Sequence, residues 1–499
     1  MWGATPIWIF LPLPLLWEGC DILLVCVMAE GVEGSEQMFT VQDVAKAVGG
    51  RIVGEQKELQ PITSVVIDSR QVTPGALFVA LKGQKQDGHD FLIDAFARGA
   101  RAALVERVIT GDAQSAEKQP QTMIQVEDTL AALQGLARWW RETLKLKVIG
   151  VTGSVGKTTT KEVIASVLRG RFEVMKSEGN LNTETGVPLT LLKATPRQQV
   201  VVLEMGMYAP GEIRALARLA APKAGVVTNV GPTHLERLGT IDRIADAKAE
   251  LVEELPEDGL AVLNYDDERV RSMASKTKAQ VVYYGLDPKA EIWADSVQSR
   301  GLQGIQFDLR RGEKWVHVRM PLLGLHSVHA ALAAAAVAYH QGLTLEEIAE
   351  GLHTVSSTLR LIVEAGINGS TIVDDSYNAS PASTLAALNL LSELEGRKVA
   401  VLGDMRELGS FTDEGHRMVG RRAADVADLL VAVGDLGEII GREALACGKG
   451  ERNVFLAKSN EDAIEYLKAN LCPGDCVLVK GSRGMRMEEI VEAIRCPTH

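Results

Sequence analysis

The stretch Gly150–Thr160, reading Gly-Val-Thr-Gly-Ser-Val-Gly-Lys-Thr-Thr-Thr, constrains this chain more than any other. It follows an apolar run (Val148, Ile149, Val151) and opens a helix-patterned segment with Val163, Ile164 and Val167 on one side. Strand, glycine loop and helix start together make a phosphate cradle. The glycines let backbone N–H groups turn toward an anion, and the helix N-terminus adds partial positive charge. In that frame Lys157 reaches the terminal phosphates and the Thr158 hydroxyl is placed to ligate magnesium. The usual P-loop carries a glycine five residues before its second one; here that position is Val151. The strand–helix context nevertheless favours an ATP site over a glycine turn with an incidental lysine.

A chain of 499 residues is too long for one core, and about three domains are expected. The formal net charge of −12 argues against nucleic acid as the main partner, because a phosphate backbone needs a basic face. Anionic ligands must then be met by local cationic sites. The six cysteines (20, 26, 447, 472, 476, 496) include one close pair, Cys472 and Cys476. Its spacing and the absence of a second pair argue against zinc and favour reduced thiols in a cytoplasmic protein.

Residues 1–37 stand apart. They are largely apolar (Ile7, Trp8, Ile9, Phe10 and Leu11, then Leu15, Leu16 and Trp17) yet carry no Lys or Arg, while Glu18, Asp21 and prolines 6, 12 and 14 interrupt them. That pattern fits a signal peptide or anchor poorly. A translation start at Met38 fits better, with Thr40 as N-cap of an amphipathic helix bearing Val41, Val44 and Val48.

From there the pattern is α/β throughout. Residues 38–126 read as a small unit with strands near 64–67, 76–80 and 102–105. Polar loops follow two of them, Asp68-Ser69-Arg70 and Leu81-Lys82-Gly83, and read alone they suit solvated turns as well as ligand loops. Residues 127–355 carry strands at 146–151, 199–203, 224–228, 260–264 and 280–284 with helical stretches between, so a largely parallel sheet is expected. Glu204, Asn264 and the loop holding His234 fall at strand ends, on the sheet edge where a nucleotide would lie. Taken singly, Glu204 and His234 are as well read as structural, and Lys248 as a surface lysine. Residues 285–320 alternate as strands. Residues 356–499 restart the pattern with strands at 371–374, 398–402, 429–433 and 476–479, each running into a polar turn. Two loop edges facing one another would make a cleft that closes on its ligands.

Several runs taken together resemble the Mur ligase family of cell-wall enzymes over about residues 38–495. They are Thr152–Thr158, Gly179-Asn-Leu-Asn-Thr-Glu-Thr-Gly-Val-Pro188, Asp374-Asp-Ser-Tyr-Asn-Ala-Ser-Pro381, Gly403-Asp-Met-Arg-Glu-Leu-Gly409 and Lys480-Gly-Ser482. The third and fourth point to the member that adds D-alanyl-D-alanine to UDP-N-acetylmuramoyl-tripeptide. The resemblance implies three domains: a small α/β domain for the UDP-sugar, a central parallel-sheet ATPase domain and a C-terminal Rossmann-like domain. It implies nucleotide contacts from Thr152, Gly153, Ser154, Val155, Gly156, Lys157, Thr158, Thr159, Asn264, Tyr377 and Asn378. Substrate contacts would come from Ser69, Arg70, Lys82, Asn180, Thr183, Asp404 and Lys480. Two magnesium ions are implied, one on Thr158 and Glu204 and a second at His234 and Lys248, the lysine carried as a carbamate. Lys157, His234 and Lys248 would be catalytic. Two departures stand out: Ser327 and Ala330 occupy positions where the family carries asparagines, and Ser357-Thr358 replace a Gly-Arg pair, with Arg360 nearby.

The implied reaction is ATP-dependent phosphorylation of the tripeptide carboxylate, then attack by the dipeptide amine. It implies a cytoplasmic monomer with no nucleic-acid partner and no stable membrane insertion. The competing readings are a sibling ligase adding the third amino acid, a folate-type polyglutamate ligase, and a regulatory P-loop ATPase or GTPase. The last is weakened by the lack of an Asn-Lys-x-Asp run.

Overall fold

The computed structural model describes residues 39–54, 61–83, 85–108, 122–356 and 362–496. The apolar segment 1–37, Met38, and the Ser357, Thr358 and Arg360 positions lie outside them. The described chain is mixed α/β, built on sheets of five, nine and six strands with a small two-stranded ribbon.

Thr40 does cap the first helix, Val41–Val48: its hydroxyl accepts from Asp43 N while Asp43 returns a bond to Thr40 N. The five-stranded sheet runs Arg51–Val53, Met123–Gln125, Ala102–Val105, Leu77–Val79, Val65–Val66, parallel except for its first pair. Arg51–Val53 and Met123–Gln125 were not expected, since three residues are too few to show alternation. One face of this sheet packs on the helix Leu92–Ala97. The other shares a continuous apolar core with the next sheet, through Leu133, Leu136 and Trp140 of the helix Thr129–Leu144.

In the nine-stranded sheet, Lys147–Thr152 lies between Val200–Glu204 and Ala224–Val227, with Leu260–Asn264 and Gln280–Gly285 beyond. All these pairings are parallel. The 285–320 excursion extends the same sheet: Ile292–Ser299 adds in parallel, then Ile305–Arg311 and Lys314–Met320 antiparallel. One face is covered by the helix Lys157–Leu168 and by Ser327–His340, which is buried almost all round, as its alanine-rich sequence requires.

The six-stranded sheet runs Ile362–Ala365, Thr371–Asp374, Cys476–Lys480, Lys398–Gly403, Leu429–Val433, Val454–Ala457, parallel except for the first pair. Insertion of the last strand between Thr371–Asp374 and Lys398–Gly403 gathers Asp375, Lys480 and Asp404 at one carboxyl edge. Ser380 caps the helix Pro381–Glu393, with proline at its first turn.

Candidate active site

The helix after the glycine loop begins at Lys157 itself, ahead of the apolar stripe of Val163, Ile164 and Val167. Gly156 supplies a left-handed N-cap with φ +81°. Gly153 is required for a harder reason. Its φ is +151°, and a Cβ there would stand 1.8 Å from Thr228 Oγ1. Thr228 and Asn229, at the end of the neighbouring strand, clamp the loop. Thr228 Oγ1 donates to Val155 O at 2.7 Å. The Asn229 carboxamide accepts from Val155 N and donates to Val155 O, both at 2.9 Å. Ser154 Oγ donates to Gly231 O at 3.0 Å. Lys157 Nζ donates to Gly153 O at 2.9 Å, so the ammonium lies over the loop. Thr152 donates its hydroxyl to Met205 O at 3.0 Å and fastens the strand entering the loop.

Thr158 faces the buried carboxylate of Glu204, to which its hydroxyl donates at 2.6 Å. The other carboxylate oxygen accepts from Asn182 Nδ2 at 3.0 Å. Ser177 fixes the backbone behind it, its hydroxyl accepting from Glu204 N at 3.0 Å, while Ser177 O accepts from the buried Lys161 ammonium at 2.5 Å. Thr183 Oγ1 accepts from Gly186 N at 3.3 Å and shapes the 179–186 run, which Asn182 places against Glu204 on one side. On the other side Asn180 meets Tyr377 of the six-stranded lobe through a hydrogen bond from the phenol.

His234 takes φ +57°, and its Nδ1 lies 2.8 Å from Glu407 Oε2. Burial holds the imidazole pKa below the ordinary histidine value; Glu407 opposes that, and the charges of Lys157 and Lys248 reinforce it. Lys248 is 2% exposed, on the helix Ile241–Glu253. The surface-lysine alternative is therefore wrong. Burial, reinforced by the charge of Lys157, holds its ammonium well below the usual lysine range and favours the neutral amine.

On the six-stranded lobe Lys480 is buried, with Nζ 2.5 Å from Asp375 Oδ2 and 2.8 Å from Asn378 O. Asp404 Oδ1 accepts from Leu436 N and Gly437 N, both at 3.0 Å, and so anchors the start of the helix Gly437–Ala446. Asn264 spends its amide on Thr228 O at 2.8 Å, supporting the loop clamp. Ser327 donates its hydroxyl to Leu323 O at 2.7 Å and Ala330 is buried, so neither stands in for an amide side chain. On the first sheet, Ser69 and Arg70 follow Val65–Val66 and Lys82 follows the adjacent parallel strand, on one edge. Arg70 is held by Asp68 at 2.7 Å and Ser69 is buried.

The geometry thus joins Lys157, Thr158, Glu204, His234 and Lys248 at one rim, with Tyr377 beside Asn180. The sequence reading had not singled out Asn182, Thr228, Asn229, Lys161 or Glu407. A hydroxyl against a buried carboxylate is a hard-oxygen donor set, which fits magnesium. No group of three His, Cys, Asp or Glu that could hold a metal occurs among the described residues.

Family profiles match along most of the chain: "Mur ligase family, catalytic domain" over residues 61–141, "Mur ligase middle domain" over 151–338 and "Mur ligase, glutamate ligase domain" over 359–483. The UDP-N-acetylmuramoyl-tripeptide--D-alanyl-D-alanine ligase of Bacillus subtilis is 38% identical over 457 residues, 91% of this chain and 97% of that protein. A crystal structure of MurF from Acinetobacter baumannii superposes with a TM-score of 0.81 at 32% identity, covering 91% of this chain and 98% of that one. MurF from Thermotoga maritima in complex with ADP gives 0.75 at 30% identity, covering 88% and 98%.

Proposed function

The chain belongs to the Mur ligase family, and from that premise we propose how its site works. It is an ATP-dependent ligase that joins D-alanyl-D-alanine to the terminal carboxylate of UDP-N-acetylmuramoyl-tripeptide, giving the pentapeptide precursor of peptidoglycan. The observation that carries the site assignment is the Thr158–Glu204 hydrogen bond of 2.6 Å in the first turn after Lys157.

A carboxylate is a poor electrophile. The terminal phosphoryl group of ATP passes to it, giving an acyl phosphate and ADP; the dipeptide amine then attacks the acyl carbon, and phosphate leaves with its electron pair. The glycine loop and Lys157 grip the phosphates and hold them in line. Thr158 and Glu204 would hold one magnesium, and His234 with Lys248 a second. Bound there, the ions supply charge neutralisation for the phosphoryl group. Lys248 suits that role as a carbamate: the neutral amine that burial favours would add through its nitrogen lone pair to the carbon of carbon dioxide, release one N–H proton to solvent, and become an extended carboxylate. Ser69, Arg70 and Lys82 receive the UDP-sugar, Asn180 and Thr183 the peptide, and Asp404 and Lys480 border the incoming dipeptide. Asn264, Tyr377 and Asn378 serve the nucleotide, Asn264 through the loop it braces. The enzyme works as a cytoplasmic monomer, where ATP and the UDP-linked precursor are made. No helix among the described residues is long and apolar enough to cross a membrane.

Phosphate release by the purified chain, given UDP-N-acetylmuramoyl-tripeptide with and without D-alanyl-D-alanine, tests the reading. Release should require both, and Lys157→Ala should abolish it. Release indifferent to both substrates would identify an ATPase of another kind. Tripeptides ending in diaminopimelate and in lysine, compared in the same assay, define the acceptor.

A further inference from the structure

Seven non-glycine residues among those described adopt positive φ, and two of them, His234 (+57°) and Glu407 (+65°), meet across the gap between the nine-stranded and six-stranded bodies. Left-handed backbone is unfavourable for a residue with a Cβ and persists where the surroundings over-determine it. Both surroundings are firm. On one side Ser154 ties Gly231 and Thr233 to the phosphate loop, and Leu235 and Leu238 bury the short helix that follows His234. On the other, Met405 N donates to His416 Nε2 at 2.9 Å and Arg406 N to Ser482 Oγ at 2.8 Å, while Leu408 is buried. The turn beyond is packed so closely that a Cβ on Gly409 would stand 2.9 Å from Glu236 Cα. Two rigid loops therefore present a carboxylate and an imidazole to each other at 2.8 Å.

We propose that Glu407 is a positioning residue: its carboxylate holds His234 Nδ1 and thereby fixes the imidazole and the closed arrangement of the two bodies in one contact. A carboxylate on Nδ1 keeps the ring proton there and leaves Nε2 with its lone pair, the nitrogen then available to a ligand. Tyr208 stands edge-on to the ring, 5.5 Å between centroids, and limits its rotation. The bond reaches across 173 residues of sequence, so it forms only when the bodies are together. Closure and presentation of Nε2 are the same event.

The kinetic half of this inference rests on the ligase reading; the structural half does not. The test uses the full chain with Glu407→Ala and Glu407→Gln, whose amide oxygen still accepts from Nδ1–H. With ADP and magnesium, small-angle scattering should show a larger radius of gyration for Glu407→Ala than for wild type, and no change for Glu407→Gln. In phosphate release, Glu407→Ala should lower kcat at least about tenfold with KM for ATP within about twofold, and Glu407→Gln should restore most of the loss. Unchanged compaction in Glu407→Ala overturns the proposal whether or not the wild type proves to be a ligase. So does lost compaction with kcat intact in an active enzyme. A wild type that compacts but makes no peptide bond overturns the ligase reading instead, and the scattering comparison alone then decides the role of Glu407.

Discussion

Thr158 Oγ1 donates to Glu204 Oε2 at 2.6 Å, tying the first turn of the phosphate-loop helix to the end of the adjacent strand. The pair is oriented by its protein neighbours, because Asn182 and Ser177 hold the carboxylate and its backbone in place. Replacing Glu204 by Gln keeps the shape and removes the charge. The magnesium concentration for half-maximal phosphate release should rise by about tenfold or more, the scale on which ligand-shell changes act. A magnesium titration that superposes on wild type would show the carboxylate to be a structural partner of Thr158 only.

Lys248 leads to a second expectation. Its burial and the charge of Lys157 favour the neutral amine, and only a neutral amine captures carbon dioxide. Stripping carbon dioxide and bicarbonate from the buffer should slow phosphate release, and restoring bicarbonate should recover it. Lys248→Met should be nearly inactive and indifferent to bicarbonate. Equal rates for wild type in stripped and replenished buffer would rule out the carbamate.

The contrast between Lys157 and Glu407 shows what a sequence carries. The phosphate loop is legible because strand, glycines, lysine and helix are contiguous, and each local signal asks for the same structure. Strands of five or six buried residues, such as Val200–Glu204 and Leu429–Val433, are legible for the same reason. Val174–Lys176 and Val454–Ala457 are not, being short and only half-buried. Asn229 and Glu407 act through neighbours that only tertiary folding supplies. Lys248 had a readable signal: it falls on one helix face with Ile244 and Leu251, at the i, i+4, i+7 spacing of a buried stripe. A lysine in a buried stripe is a demand for an explanation.

His416 makes stability pH-dependent. It is buried, with Nε2 accepting from Met405 N and Nδ1 2.6 Å from Thr412 O, so the neutral ring carries its proton on Nδ1. Burial lowers its pKa from 6.5. The unfolded chain then binds the proton more readily, so this contribution is complete above the unfolded value and declines as pH falls through it toward the folded one. Urea midpoints should fall between pH 7 and pH 5, and the fall should be shallower in His416→Gln. Identical slopes for the two proteins would assign the pH dependence to other groups.

Gly153 supplies the sharpest single-atom test. An alanine there would need φ near +151° and would place its Cβ 1.8 Å from Thr228 Oγ1. Thr228 cannot simply turn away, because its hydroxyl donates to Val155 O at 2.7 Å and helps shape the loop. Gly153→Ala should therefore cost about 1–3 kcal/mol of stability, the range for strain at a special backbone position combined with local overpacking. Nucleotide binding should weaken with it. Thr228→Ala removes the clashing oxygen but also the clamp, so alone it should be milder. In the double variant the two losses should be less than additive: the 1.8 Å contact is gone, while the close approach to the Cβ and N of residue 228 (3.0 and 3.2 Å), the backbone strain and the missing hydrogen bond remain. Denaturant midpoints and ADP titrations of the four proteins measure this directly. Strict additivity would mean that the loop moves away from Thr228 at no cost, and that the clamp does not set its shape.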